Sequence, residues 1–254
     1  MTVRIKFSKF GAMKFIGHLD VMRYFQKAIR RAEFDVCYSQ GFHPHQVMSF
    51  AAPLGVGLTS DGEYLDLDLH TCEETQVMIE KLNAVMTEGF LITSFEILPE
   101  TPVGKKKEAA MSLIAAADYQ VSIKDNQQLP EGFPSTQEEF VLKMQEFLSQ
   151  NEITVLKKTK KKEKEENIRP FILKAGCAYD GLPYENHMEV YENGRTYFFQ
   201  LTTGSVNNLK PELIMEAFCQ FLDVPFSPYF FQVHRIELYA QIEEKFVPLH
   251  QYHQ

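Results

Sequence analysis

Apolar residues recur along this chain at two spacings, every second position or every third and fourth, and the order of those spacings outlines a fold. Residues 3–10 alternate as a strand until Gly11 breaks the pattern. From 19 to 32, Leu19, Met22, Phe25, Ile29 and Ala32 form an apolar helical stripe, with Arg23, Lys27, Arg30 and Arg31 on the other side. Residues 47–51 read as a strand, and 63–69 is the clearest strand, with Leu65, Leu67 and Leu69 alternating with Tyr64, Asp66 and Asp68. A helix over 74–86 and a strand over 91–98 complete a β-α-β-β-α-β order.

The plan recurs with longer loops: a strand over 113–123, a helix over 136–149, a strand over 153–157 and a segment 168–175 that continues or pairs with it. A hairpin through Asn193-Gly194, a strand over 195–202, a helix over 211–222 and a last strand over 230–239 follow. The expected class is α+β: tandem ferredoxin-like domains with antiparallel sheets, the second elaborated. The expected boundaries are 1–100, a linker at 101–111, and 112–254. The run 157–166, rich in Lys and Glu, is expected as a mobile charged loop, or alternatively as an arm that orders on a phosphate backbone.

Composition narrows the class of protein. No run of eighteen apolar residues exists and the N-terminus alternates charged with apolar residues, so the expectation is a cytoplasmic protein without membrane insertion. The four cysteines are scattered, which predicts reduced and mainly buried thiols and neither a disulfide framework nor a zinc knuckle. The net charge of −8 conceals an asymmetry: residues 1–60 carry eight Lys or Arg against three acids, and residues 61–100 one Lys against ten acids. The first stretch predicts a local basic surface for phosphate or an acidic partner, while overall acidity argues against indiscriminate nucleic-acid binding.

Two blocks concentrate polar residues, 16–23 and 38–45. His18 and Asp20 fall at a helix start, where an acid suits the positive dipole end and His18 can cap; otherwise they form a polar site there. Arg23, Arg30 and Arg31 are either plainly exposed or fork onto phosphate. In the 40–45 loop, Gly41 permits a tight turn and Pro44 holds the preceding residue extended. Its polar side chains either close the loop or recognise a ligand, with Gln40, His43 and His45 hydrogen-bonding bases or a substrate carboxylate and Phe42 supplying a stacking face. Two imidazoles and a carboxylate among His18, Asp20, His43 and His45 also suit zinc or iron, a weaker alternative to a metal-free site. His234 and Arg235 are expected as a partly exposed strand pair.

The pattern IGHLDVMRYFQKAIRRA, then YSQGFHPHQVMSFAAPLGVGLTSDGEYLDLDL, resembles the N-terminal signature of the radical-SAM-associated family of uncharacterised bacterial proteins over residues 3–98. Beyond that the likeness rests on Ile168-Arg169-Pro170, Gly204-Ser205-Val206 and Val233-His234-Arg235. The family usually has Asn where this chain has His43, which removes His43 as an indispensable ligand and leaves His45. The resemblance implies a radical SAM partner protein that often carries a cobalamin-binding domain. This chain itself lacks the Cys-x3-Cys-x2-Cys spacing for an iron-sulfur cluster, and Gly55 and Gly57 lack the lysine of a phosphate loop, so no cofactor is expected. The expected function is a noncatalytic substrate-binding or adaptor protein working with that enzyme and presenting RNA or a ribosome-related substrate. The alternative is a metal-independent RNA-processing or RNA-modifying enzyme with His18 or His45 as general acid/base.

Overall fold

The computed structural model describes residues 1–100, 108–158, 163–204 and 207–252. In chain order the first elements are β1 (Thr2–Lys9), α1 (His18–Arg31), β2 (Met48–Phe50), β3 (Thr59–Asp68), α2 (Thr75–Asn83), β4 (Phe90–Ile97) and α3 (Ala110–Leu113). There follow β5 (Ile114–Ile123), α4 (Gln137–Leu148), β6 (Thr154–Lys158), β7 (Glu163–Asn167), β8 (Ile172–Gly176) and β9 (Thr196–Thr202). The chain continues with α5 (Pro211–Phe221), β10 (Phe231–Ile242) and β11 (Lys245–Pro248). The protein is thus mixed α+β, with a large, mostly antiparallel sheet and few helices. No helix among the described residues is long and apolar enough to cross a membrane.

The chain forms two units, one of Met1–Ala116, Tyr184–Met188 and Arg235–Gln254, the other of Ala117–Pro183 and Glu189–His234. Residues 101–107 of the expected linker lie outside the described residues.

In the first unit β1 pairs antiparallel with β3 and β4, and β2 pairs antiparallel with β3, giving the order β4-β1-β3-β2. Period-two alternation puts Val3, Ile5, Phe7, Leu65, Leu67 and Leu69 into one core with Val21, Phe25, Ala28 and Ile29 of α1 and Met78 and Leu82 of α2. Phe7 anchors an aromatic cluster, its ring centroid 4.6 Å from Phe25 and 6.0 Å from Phe50. The helical stripe is rotated from the expected one: Leu19 is 60% exposed and Val21 is buried. Val21, Phe25, Ala28, Ile29 and Ala32 make the denser i, i+4, i+7, i+8 series, and two residues of helix turn Leu19 about 200° away from Val21.

Between Phe7 and Lys9, strand β3 carries an extra residue relative to β1, with Phe7 opposite Glu63 and Lys9 opposite Ser60. Gly62 sits in this bulge. A Cβ there would stand 2.6 Å from both the Glu237 Cα and the Ile236 carbonyl oxygen, so the close approach of β10 requires glycine.

In the second unit, which takes only the first four residues of β10, the order is β10-β5-β9-β8, with β8 and β9 antiparallel. Phe140, Met144 and Phe147 of α4 meet Phe218 of α5 in its core, the Phe218 ring lying 5.7 Å from Phe140 and 5.6 Å from Phe147. The charged run expected as a mobile loop contributes instead to a two-stranded hairpin, β6 with β7, except for residues 159–162, which lie outside the described residues. Strand β8 begins four residues later than expected, because Arg169–Phe171 form a 3-10 turn around Pro170, which has no N–H to give a ladder. His234 and Arg235 are buried, correcting the expected partly exposed pair, and of the four free cysteines, expected to be mainly buried, only Cys219 is buried, Cys37 and Cys72 being half-buried and Cys177 exposed.

Helix α4 starts on a reciprocal cap: Thr136 accepts from the Glu139 N–H, and Glu139 accepts from the Ser135 N–H and hydroxyl. The Ser135 N–H, foremost, holds the Glu139 carboxyl below its usual range. This contribution is complete above the unfolded carboxyl's pKa of about 4.3 and is lost as pH falls through the lower folded value. Thr136→Ala is expected to cost about 1 kcal/mol, and Glu139→Gln to flatten the acid limb of the melting-temperature profile; thermal melts from pH 2 to 7 check both.

Candidate functional site

Part of the charge asymmetry of the sequence is consumed inside the first unit. Arg4 on β1 forms a buried two-pronged pair with Asp66, its register partner on β3, at 2.8 and 3.0 Å, and donates to the Leu249 carbonyl. Lys6 pairs with Glu237 at 2.6 Å, and Tyr64 donates to Glu237 while contacting His250 Nδ1 at 2.8 Å. Burial, then the Glu237 charge, raises the Tyr64 phenol well above its ordinary pKa. The polar face of this sheet is therefore occupied by its own ion pairs and by the 249–252 segment. The basic surface left exposed is that of α1.

On α1, Arg23, Lys27 and Arg30 lie at i, i+4 and i+7 and are exposed. Asp20 is 3.6 Å from Arg23, an exposed pair that leaves the guanidinium free to exchange partners. Arg31 differs: it donates to the Val85 carbonyl and lies over the Tyr24 ring, which gives it a structural job at the helix end.

The 40–45 loop rises beside this helix. Buried Gln46 donates to the Gln26 carbonyl at 3.3 Å, rooting the loop at the turn of α1 between Arg23 and Arg30. Ser39 and His45 close the loop with three contacts: Ser39 N–H to His45 carbonyl, His45 N–H to Ser39 Oγ, and Ser39 Oγ with His45 Nδ1 at 2.8 Å. Gly41 takes φ of +117°, a conformation side chains resist. His45 thus serves loop closure, the structural alternative for that residue. Gln40 and Phe42 project outward, and Phe42 is fully exposed.

His18 is placed elsewhere. It is the first residue of α1, makes no capping hydrogen bond, and sets its half-buried ring edge-on to Phe50 at 5.3 Å. Gly17 caps through its carbonyl, which accepts from Asp20 and Val21. His18 also lines a cavity of about 10 Å³ with Phe7, Lys9, Val21, Phe50, Pro53, Leu54 and Glu63, room for about one water molecule. Among the described residues no group of three or more His, Cys, Asp or Glu is arranged to hold a metal ion, His18, Asp20, His43 and His45 included.

Beneath His18 lies a buried charge cluster absent from the sequence expectations. Arg235 binds Glu63 through Nε at 2.9 Å and also through Nη2, which donates to the Ala52 carbonyl at 2.7 Å. Lys9 donates to the Ile16 carbonyl at 3.1 Å. Burial lowers the Lys9 pKa, with nearby Glu63 opposing and Arg235 reinforcing the shift. The blocks around Ile16, Ala52 and Glu63 are thus tied to one another and to Arg235. A second unanticipated pair joins Asp61 to His187, whose ring stacks on Phe10 at 4.2 Å and whose N–H also donates to Asp61. Parity holds a partial signal for the first cluster: Lys9 and Glu63 continue the Val3-Ile5-Phe7 and Leu65-Leu67-Leu69 series, charges where apolar residues belong. Arg235 and His187, more than a hundred residues distant from their partners, carry none.

The family described as an uncharacterised protein conserved in bacteria, DUF2344, matches residues 2–211. The chain belongs to that family. The DUF2344 match takes in α1, the 40–45 loop and Glu63, and stops short of Arg235. No curated protein matches the chain.

Proposed function

We propose that the protein is a noncatalytic adaptor that presents RNA to a radical SAM enzyme, holding the RNA on α1 and the 40–45 loop. One observation carries this reading: fully exposed Phe42 stands on a loop rooted at Gln26, between Arg23 and Arg30 on the exposed stripe of α1. An aromatic face beside a row of cations suits single-stranded RNA, whose bases stack while its phosphates pair. The strand orders β4-β1-β3-β2 and β10-β5-β9-β8 support tandem ferredoxin-like domains, a frame that hosts RNA binders; that part of the support is analogy. Sheet-face binding, common in such frames, is disfavoured in the first unit by the Arg4, Lys6 and Tyr64 network. The radical SAM partner rests on the resemblance of the two N-terminal blocks, and a cobalamin-binding domain would belong to that partner. Against the histidine-enzyme alternative, His18 packs on Phe50 while His45 is bound to Ser39.

The test is affinity capture of the protein from its native cell, with captured RNA and protein both identified. Recovery of a radical SAM protein together with RNA is expected; recovery of neither would overturn the adaptor role. Anaerobically purified protein alone is expected to contain no stoichiometric iron or sulfide and to release no deoxyadenosine from S-adenosylmethionine. Cluster analysis and a deoxyadenosine assay check this expectation.

A further inference from the structure

A cleft of about 380 Å³ in the second unit runs along β8 beside the C-terminal end of α4. This volume falls in the range of small-molecule sites. Its walls include Leu148, Ile172, Leu173 and Tyr197, and its polar groups include Arg169 and Lys174. We propose that this cleft binds the terminal phosphate of a small phosphomonoester, with Arg169 as the principal anchor and Lys174 as the second cation.

The helix end engages a single nitrogen of one of these two cations. The Gln145 carbonyl accepts from the Ser149 N–H, Glu146 from the Ser149 hydroxyl, Phe147 from the Gln150 side chain, and Leu148 from Arg169 Nε. All four terminal carbonyls are thereby satisfied, the last by a single nitrogen of the guanidinium. Arg169 Nε is held by the Leu148 carbonyl at 3.1 Å, which orients the planar head before any ligand arrives. Its two terminal nitrogens have no hydrogen-bond or ion-pair partner among the described residues, and the residue lines the cleft. A half-buried guanidinium with two spare nitrogens in one plane matches two oxygens of a phosphate. Lys174 lies 3.8 Å from exposed Asp180, a weak pair that a dianion can displace. β8 ends the strand order, and its residues Ile172 to Gly176 all line the same wall. Two cations favour a phosphomonoester dianion over a carboxylate, and the leucine, isoleucine and tyrosine walls favour an organic body over free phosphate.

Cys177 also lines the cleft and is exposed, which provides a readout independent of affinity. The full-length protein is titrated with adenosine monophosphate, adenosine, inorganic phosphate and a 5′-phosphorylated RNA trinucleotide. Binding is followed by calorimetry and by the rate of Cys177 alkylation relative to Cys37 and Cys72. Adenosine monophosphate is expected to bind and to slow Cys177 alkylation selectively, and adenosine to do neither. Charge-assisted hydrogen bonds predict that Arg169→Ala weakens binding by about tenfold or more, and Lys174→Ala by about threefold. Lys174 is exposed, so its variant folds normally and keeps the test valid if the Arg169 change loosens α4. Tighter binding of the trinucleotide than of the mononucleotide would place the phosphate at an RNA end; the reverse would assign a free metabolite. No binding of either phosphomonoester at millimolar concentration, or unchanged binding in both variants, overturns the proposal.

Discussion

Glu63→Ala is expected to destabilise the first unit by about 3–5 kcal/mol, because it leaves the Arg235 guanidinium and the Lys9 ammonium buried without their shared counter-charge. The cost arises from stranding charges in a dry site, and an exposed pair provides the contrast. Asp20→Ala, which removes only the surface contact with Arg23, is expected to stay within about 0.5 kcal/mol of the parent. Hydrogen exchange across a urea series, resolved onto β1 and β3, reads the first unit by itself. The pH dependence carries a sign. Removing Glu63 deletes the interaction that raises the Lys9 pKa, so the folded value drops further below the unfolded value of about 10.4. Between those two values the unfolded state binds more protons, and stability of the variant rises with pH. The gap to the parent should therefore narrow as pH approaches 10, without closing, since Arg235 stays charged. A pH-independent gap would remove Lys9 from the cluster.

Phe42→Ala is the second large effect: about a tenfold loss of affinity for single-stranded RNA, the lower part of the range for losing one base stack, with no change in melting temperature. The ring is fully exposed and touches nothing that folding needs. Arg23→Ala combined with Arg30→Ala acts through phosphates instead. It should flatten the slope of log affinity against log salt by about 1.4, the value for two contacts on a single strand. Fluorescence anisotropy across a salt series separates the two: the aromatic change shifts the line down, and the double arginine change tilts it. Parallel lines for all variants would contradict a phosphate-tracking role for α1.

Much of the frame was legible from the chain because its strands and helices follow simple periods. Leu65, Leu67 and Leu69 marked β3, and the Phe25, Ile29 and Ala32 spacing marked α1 to within one turn. The face of α1 was harder, since Leu19 and Val21 are both apolar and only packing decides between them. The candidate surface was half legible. Arg23, Arg30, Gln40 and Phe42 lie where an exposed helix face and a glycine turn put them, whereas His18 and His45 were drawn into structure by Phe50 and Ser39. The basic surface looked broader in sequence than it is, because Arg4 finds its acid only once β3 is paired with β1, and Lys6 only once β10 is in place. Strand β6 was expected, at 153–157, but its partner β7 was missed because a run of Lys and Glu carries no hydrophobic period.

The placement of RNA is tested most directly by photo-crosslinking the full-length protein to a single-stranded RNA bearing 4-thiouridine, followed by mass spectrometry of the crosslinked peptides. The account predicts crosslinks in the 38–45 segment, centred on Phe42, with neighbouring contacts on the exposed face of α1. Crosslinks confined to other segments, or none at RNA concentrations that saturate capture, would contradict it.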